Sequence, residues 1–474
     1  MILAAIPRSI ARSPAAAIAG VLLALAVAVS PGGAASGAQA GCAAAAAPAA
    51  RRIAFDEAVG IALDGNTTLA RARNATARDR VAVSQARMAF LPDLRLGVSG
   101  SESYTRSPEA ADSAETSRWH GSAGATLSSS VVLFNGFANA AELRAARRQA
   151  EAGELDMERT RQTVVIDVIT GYLGLIAATE QERVRRENRI AQEEQERLVS
   201  ALVDAGEKPI SDLYQQQANV ASARLALVEA ERSLQLSRLD LVQALQLDPQ
   251  GEYVFEIPAL PETLPGVQPL DARQLIVRAF EQRPDLAALE RNRQAARENE
   301  RVARAGRLPR VSLSADYGTR IAEGGGDFGE QFNDRQSGSV GLSLSLPLFD
   351  RQATSADIQR TGIATDEAQL AVADLRQQVA LQVRQALLDW NAAEEQLQAA
   401  EAQVRAAQQA LDAVRERYEV GAATLYEVTL ARADVVSATS TRVNARYNLL
   451  WQGRLLDYYV GDLDPALGLL GGRG

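Results

Sequence analysis

The chain has few side chains that could do covalent or metal chemistry. Its 474 residues include one cysteine, Cys42, and one histidine, His120. This pair cannot supply a disulfide within the chain, a thiolate cluster or a multi-histidine metal site. His120 follows Trp119 beside a polar segment, so we interpret it as an exposed loop or strand residue. We therefore expect no catalytic, metal or cofactor site, and a hydrolase on a helical scaffold is the disfavoured alternative.

The charge pattern argues against a nucleic-acid partner. The formal net charge is -9, and the only lysine is Lys208, so arginine supplies almost all of the positive charge. An acidic chain without a basic cluster interleaved with aromatic residues is poorly suited to a phosphate backbone. We expect no nucleic acid among its partners.

The N-terminus has the layout of a secretory signal peptide. Two arginines precede an apolar run over residues 15–29, and small residues follow up to Gly41. The run is too short for a spanning helix, which needs about 20 apolar residues. We predict a signal peptide over residues 1–41 and a flexible alanine-rich arm over residues 42–55.

Cys42 has two interpretations. Ala40-Gly41-Cys42 is similar to the end of a lipoprotein box, which makes Cys42 a candidate for lipid attachment. Against this, Gln39 stands where such boxes prefer leucine. The alternative is ordinary cleavage, which leaves a free thiol in the arm. Both interpretations predict an exported chain.

The exported part consists of two copies of one unit. Ala62 corresponds to Ala279 at an offset of 217 residues, and Leu133-Phe134-Asn135 corresponds to Leu348-Phe349-Asp350 at an offset of 215. Landmarks in the same order at nearly constant offset indicate a duplication. The predicted segments are a first repeat over residues 56–247, a proline-rich linker over 248–270, a second repeat over 271–460 and a tail over 461–474.

Each repeat is predicted to contain the same series of elements: a helix, a strand pair, a very long helix, a glycine turn and a return helix. In the first repeat the predicted bounds are a helix over 56–90, strands within 91–134, a long helix over 136–204 and a return helix over 211–246. In the second repeat they are strands within 308–349, a long helix over 352–419 and a return helix over 424–459.

The long helices do not fit a compact domain. Nearly 70 residues make a helix of roughly 100 Å. Such a helix must be a coiled-coil rod, a bundle arm or a stave of a helical barrel. Asn135 and Asp350 stand where N-caps are wanted. The apolar patch from Val164 to Ile176 contains Asp167 and is too short to span a bilayer.

The strands alternate apolar residues with small polar ones. Val340, Leu342 and Leu344 give the clearest example. A period of two indicates a sheet with one apolar and one wet face. Segments of about ten such residues joined by polar loops match transmembrane β-strands. A soluble sheet half-buried on helices would have the same pattern, but the export signal and the long helices favour the membrane.

Four membrane strands in one chain would require oligomerisation, because four strands cannot close a barrel and a bilayer does not tolerate open edges. Two chains would give eight strands and three would give twelve, and both numbers occur in barrels. The smaller barrel is filled by side chains and makes a poor duct.

Five segments recur in the same order in this layout: Asn66–Arg73, Leu133–Gly136, Arg283–Leu286, Leu348–Phe349 and Arg417–Gly421. On these segments the chain resembles the TolC-like family of outer-membrane efflux proteins, over residues 53 to about 460. The resemblance implies a mostly α fold with membrane β: a homotrimer in which four strands per chain contribute to a 12-stranded β-barrel in the outer membrane. The duplicated long helices would form an α-helical barrel that projects into the periplasm.

The resemblance also implies a passive exit duct that catalyses no reaction. Its partners would be a periplasmic adaptor (membrane fusion) protein and an inner-membrane transporter of the RND or ABC class. Drugs, metal ions, solvents and polypeptides all leave through such ducts. The alternative is a soluble exported coiled-coil protein such as a periplasmic adaptor, although adaptors normally have one helical hairpin flanked by strand-rich domains.

A periplasmic gate is a further implication of the resemblance. Tyr418 matches a gating tyrosine, Asp212 matches the aspartate that accepts its hydrogen bond, and Glu427 matches an acidic ring position. A phenol–carboxylate bond is charge-assisted, and converging Glu427 side chains would favour cations. Two positions depart from the pattern: Ala423 replaces an arginine found in some members, and Leu430 replaces a second ring aspartate.

The two glycine turns are candidate docking sites for the adaptor. The residues concerned are Ala205, Gly206, Val420 and Gly421. Glycines at helix ends are usually caps, which is the alternative interpretation. The gate residues also have local interpretations. These are packing at a helix end for Tyr418, a helix N-cap or first-turn acid for Asp212, and a solvated charge at a helix start for Glu427.

Overall fold

The computed structural model describes residues 51–107, 116–257, 271–322 and 336–463. The predicted signal peptide, Cys42 and most of the arm lie outside the described residues, as do much of the linker and most of the tail. The strands are β1 (Arg51–Ile53), β2 (Arg95–Ser107), β3 (Thr116–Asn135), β4 (Tyr253–Phe255), β5 (Arg310–Ala322) and β6 (Gln336–Ser345). The helices are α1 (Phe55–Gly65), α2 (Thr67–Met88), α3 (Ala138–Asp204), α4 (Ile210–Ala244), α5 (Ala272–Gln282), α6 (Pro284–Ala305), α7 (Ala353–Glu419) and α8 (Leu425–Val460).

The chain divides into two compact units, and each is described by itself. The sheet unit comprises residues 81–147 and 295–365. The helical unit comprises the described residues from 51 to 80, from 148 to 294 and from 366 to 463.

The sheet unit contains one antiparallel sheet in the order β2-β3-β5-β6. The register places Leu127 beside both Leu96 and Tyr317, and Leu313 beside Leu342, so the apolar side chains share one face. The opposite face is rich in serine. Hydroxyl pairs link its strands at Ser101–Ser122 (2.9 Å) and Ser312–Ser343 (2.7 Å). The period of two read from the sequence therefore corresponds to an apolar face and a hydroxyl face.

Among the described residues, nothing covers the apolar face of this sheet. Val340, Leu342 and Leu344 are 77%, 69% and 71% exposed. The polar loop predicted at roughly 104–118 is shorter than expected, because β2 continues to Ser107 and β3 begins at Thr116. In contrast, β6 ends at Ser345, so Leu348 and Phe349 lie outside the strand, although the sequence placed them in it.

The single helix predicted over 56–90 is wrong, because two helices occupy that range. The break is at Asn66, whose side-chain oxygen accepts hydrogen bonds from the backbone N–H of Thr68 (2.8 Å) and Leu69 (3.2 Å). An asparagine that bonds the amides ahead of it starts a new helix. The second repeat breaks at the matching place, where Pro284 begins α6 and Arg283 has extended backbone.

The starts of the two long helices involve Asn135 and Asp350, but neither residue is adjacent to the first helical residue. Helix α7 begins at Ala353, and the Asp350 carboxylate accepts a hydrogen bond from the Thr354 N–H (2.8 Å). Before α3 the backbone is left-handed at Gly136 (φ 68°). A Cβ at Gly136 would lie 2.9 Å from the carbonyl oxygen of Ala305, so this turn requires glycine.

The core of the helical unit lies around the middle of α3. One 18-residue stretch of α3 is apolar enough to pass as a membrane span by length and composition, but 56% of it is buried inside the protein. Val165, Val168 and Tyr172 of this stretch are among the most deeply buried side chains. The apolar patch predicted from 164 to 176 is therefore part of a protein core.

The predicted flexible arm and linker contain a short parallel sheet. Strand β1 pairs with β4, and Ile53 is fully buried. The Tyr172 hydroxyl donates to the carbonyl oxygens of Glu256 and Ile53, the second at 3.3 Å. The prediction of a flexible arm is thus wrong for residues 51–53, because backbone pairing and burial of Ile53 fix them.

Tyr172→Phe is expected to lower the free energy of unfolding by about 1–3 kcal/mol, because buried carbonyls lose their donor. Burial, and after it the charge of Glu256, raise the pKa of Tyr172 from 10.0 to about 12. The tyrosine's contribution is therefore present below pH 10 and is lost as the pH rises through about 12. Thermal unfolding followed by circular dichroism at pH 8 and at alkaline pH measures this. The matched control is Tyr214→Phe on exposed Tyr214, and an equal effect of both variants would contradict the assignment.

Candidate functional site

The two glycine turns end α3 and α7 in the same way. Gly206 (φ 77°) and Gly421 (φ 79°) are left-handed. The next N–H in each turn bonds back five residues, from Glu207 to Leu202 (2.9 Å) and from Ala422 to Arg417 (2.7 Å). This is the Schellman arrangement of a helix C-terminus. A Cβ at either glycine would meet nothing within 4 Å, so the backbone conformation and not a lack of space requires glycine.

Next to these turns the helices enclose a small apolar core, which we call the tip cluster. Its buried members are Val199, Leu411, Tyr418, Leu425, Val428 and Ala431. Val203, Leu213 and Ala423 pack against it and are partly buried. The cluster joins both helical hairpins, α3–α4 and α7–α8. Ala423, which the sequence comparison marked as a departure, is thus a packing residue of this cluster.

Tyr418 is the largest side chain of the tip cluster and is 6% exposed. Its hydroxyl is buried and has no hydrogen-bond partner among the described residues. Burial, and after it the charge of the Asp212 carboxylate, raise the pKa of Tyr418 above its usual value. The expected hydrogen bond from the Tyr418 hydroxyl to the Asp212 carboxylate is therefore not formed among the described residues. The reason is that the tip cluster encloses the hydroxyl.

Asp212 lies in the first turn of α4 and is half-buried. Its backbone N–H donates to the carbonyl oxygen of Pro209 (3.1 Å), and Pro209 occupies the N-cap position. A carboxylate in the first turn is stabilised by the helix dipole. The structure thus places Asp212 near Tyr418 as a charge and within α4 as a first-turn acid.

Glu427 is held by its own turn. Thr424 is the N-cap of α8, and the two residues form a capping box in which each side chain accepts from the other's backbone N–H at 3.3 Å. The Arg417 guanidinium lies 3.3 Å from the Glu427 carboxylate and donates to the carbonyl of Ala422 (3.1 Å). The spacing Thr-x-x-Glu is a sequence signal that predicts this box, although neither interpretation of Glu427 from the sequence included a cap.

Contacts between the hairpins become polar away from the tip cluster. The Asn219 side chain donates to the Thr429 hydroxyl (3.2 Å), and Gln181 donates to the carbonyl of Ser440 (2.8 Å). Asn219, Thr429 and Ser440 line a groove of about 380 Å³ between α3, α4 and α8. The interface between the hairpins is therefore apolar at its end and hydrogen-bonded beyond it.

The docking candidates are all at the surface. Ala205, Gly206 and Gly421 are exposed, and Val420 is 80% exposed. Within the described residues no group of three or more histidine, cysteine, aspartate or glutamate side chains could hold a metal ion.

Comparison with known proteins identifies the family. The model for the outer membrane efflux protein family matches residues 58–246 and 275–461. The chain belongs to this family. It is an outer-membrane exit channel for efflux or secretion with a tunnel in the periplasm, and the family is one of transport channels and not of enzymes. The resemblance noted in the sequence is thereby confirmed.

Individual relatives agree with this assignment. The chain is 25% identical to the outer membrane protein TolC of Escherichia coli over 423 residues, which cover 83% of each chain. It is 24% identical to the outer membrane efflux protein BepC of Brucella suis, over 67% of this chain and 68% of that one. The Campylobacter jejuni CmeC outer membrane channel has the same fold, with a TM-score of 0.74, 20% identity and coverage of 87% of both chains.

Proposed function

We propose that three copies of this chain form one channel-tunnel, in which three four-stranded sheets close into a 12-stranded β-barrel. The sheet carries this proposal. Its apolar face is uncovered, and a bilayer is the solvent in which such a face is stable. Strands β2 and β6 are the two edges of the sheet, and their unpaired backbone groups require partner strands in a membrane.

The hydroxyl face then lines the interior of the barrel. Serine and glycine dominate this face and are small and uncharged, so the face makes a wet wall. Such a lining suits passive movement of varied cargo. Energy would come from an inner-membrane transporter of the RND or ABC class, joined to the channel by a periplasmic adaptor protein.

The helical ends would form the gate and the docking surface. Tyr418 closes the gate by packing in the tip cluster, with Asp212 beside it. Glu427 supplies acidic charge at the opening of each protomer. The exposed turns at Ala205–Gly206 and Val420–Gly421 would receive the adaptor, since they are surface features with an open approach.

Single-channel recording in a planar bilayer tests the duct and its gate together. We expect the purified wild-type protein to insert and to carry small, cation-preferring currents. Tyr418→Ala removes the largest side chain of the tip cluster, so its conductance should rise clearly above that of the wild type. Tyr426→Ala is the matched control, because Tyr426 lies across the same glycine turn, in the first turn of α8, but is 71% exposed.

The outcomes separate the two parts of the proposal. A wild-type protein that neither inserts nor conducts contradicts the barrel. If the wild type and Tyr418→Ala conduct equally, the duct stands and the gate assignment is wrong. If the conductance of Tyr426→Ala rises as much as that of Tyr418→Ala, the cause is a general loosening of the helix ends and not loss of the Tyr418 packing.

A further inference from the structure

Lys208 lies in the turn between α3 and α4 and contacts the other hairpin. Its ammonium nitrogen is 4.3 Å from the centre of the Tyr418 ring, at the end of α7. A cation over an aromatic face is attracted by the negative charge of the π-system. The contact therefore joins the two hairpins at the site where the gate is proposed.

The residue type at this position is unusual for this chain. Lys208 is the only lysine, and every other basic residue that makes up the total of 50 is arginine. Lysine has a compact ammonium on a flexible stem, whereas arginine has a broad planar fork. Lys208 is half-buried above the ring, where either cation could lie, so the contact depends on the positive charge.

Among the described residues, Lys208 is the polar group that holds the Tyr418 ring in place. The Tyr418 hydroxyl has no hydrogen-bond partner among the described residues, so hydrogen bonding does not fix the ring. Apolar packing covers its sides, and the ammonium covers one face. Burial, and as a smaller cause the nearby Asp212 carboxylate, raise the pKa of Tyr418. The phenol therefore stays neutral under the cation.

We propose that Lys208 is a positioning residue of the gate, whose ammonium holds the Tyr418 ring and with it the end of α7 against the α3–α4 turn. Opening would separate the two hairpin ends and release the ammonium into water. This inference rests on the proposed function of the helix ends as a gate.

Two substitutions test the role of the charge in planar bilayers. Lys208→Met keeps the apolar stem but removes the cation. It should shift the closed-to-open ratio towards open by about two- to thirtyfold, the factor that corresponds to the usual strength of such a contact. Lys208→Arg keeps the cation and should restore most of the wild-type ratio. Equal gating in the Met variant and the wild type would overturn the proposal.

Acetylation gives a second readout that does not need a channel. Because Lys208 carries the only side-chain amine, a water-soluble acetylating ester and peptide mass spectrometry follow this one site in the solubilised protein. We expect slow modification in the wild type and faster modification in Tyr418→Ala, where the ring is missing. Equal acetylation rates in the wild type and in Tyr418→Ala would contradict the contact between Lys208 and Tyr418, even when the wild type conducts. A difference in rates without any conductance would leave the contact intact and contradict the duct.

Discussion

Leu342→Arg is expected to abolish insertion of the protein into membranes. Leu342 lies on the apolar face of β6 and is 69% exposed. In the proposed barrel its side chain faces lipid, where a charged residue costs about 2–4 kcal/mol per chain near the midplane. Three copies in a trimer multiply this cost. The measurement is the fraction of protein recovered in outer membranes and the frequency of insertion into planar bilayers.

Ser343→Arg is the matched control for this experiment. Ser343 is the next residue on the same strand, but it lies on the hydroxyl face of the sheet. There its hydroxyl bonds to that of Ser312 (2.7 Å). The variant should insert normally, and its added positive charge should reduce cation currents through the channel. Loss of insertion in both variants, or in neither, would argue against the assignment of the two faces.

The second large effect is expected at Arg283. This side chain is 3% exposed, and two of its nitrogens bond both oxygens of Asp285 at 3.1 and 2.6 Å. A third nitrogen donates to Gln382 at 2.8 Å. Arg283→Leu leaves the half-buried Asp285 without its main partner, so we expect a loss of roughly 3–5 kcal/mol in the free energy of unfolding. Thermal unfolding followed by circular dichroism measures this loss.

Arg278→Leu serves as the control for Arg283→Leu. Arg278 pairs with Asp462, but both side chains are exposed, and such a pair contributes about 0–1 kcal/mol. The double variant Arg283→Leu/Asp285→Leu should recover part of the loss, because no Asp285 carboxylate is left without its main partner. The recovery should be incomplete, since Arg159 then loses the Asp285 carboxylate that lies 3.7 Å from it. A single variant as stable as the control would show that the buried pair is unimportant.

The Arg283–Asp285 pair also makes the free energy of unfolding depend on pH in the acidic range. Burial raises the pKa of Asp285, but the hydrogen bonds and charge of Arg283 outweigh it and hold the pKa below the ordinary value of 3.8. The contribution of the pair is therefore present above pH 3.8 and is lost as the pH falls through the lowered pKa.

The long helices and the strands of the four-stranded sheet were predictable because each depends on a local, repeated pattern. The predicted long helix over 136–204 and the observed Ala138–Asp204 differ by two residues at the start. The glycines that end both long helices are equally local signals, since a left-handed residue is needed there. Alternation along β6 likewise identifies the two faces of its strand without any knowledge of neighbouring strands.

Features that depend on contacts between distant residues were not predictable in the same way. The parallel pairing of β1 with β4 joins segments about 200 residues apart, and neither three-residue strand has a pattern of its own. The break at Asn66 was missed because helical periodicity continues on both sides of it. At Tyr418, the family resemblance implied an aspartate as the partner, whereas the ring contacts Lys208 and the hydroxyl is enclosed by apolar packing.

The two free edges of the sheet have a consequence for assembly. In the proposed trimer, every edge strand finds its partner on another chain. A single protomer in the bilayer would leave two rows of peptide groups facing hydrocarbon without partners. Protomers would therefore insert into the membrane and associate in the same step. The rate of this step would rise steeply with the protomer concentration. The cell must then deliver several protomers to one place before any of them can leave the periplasm.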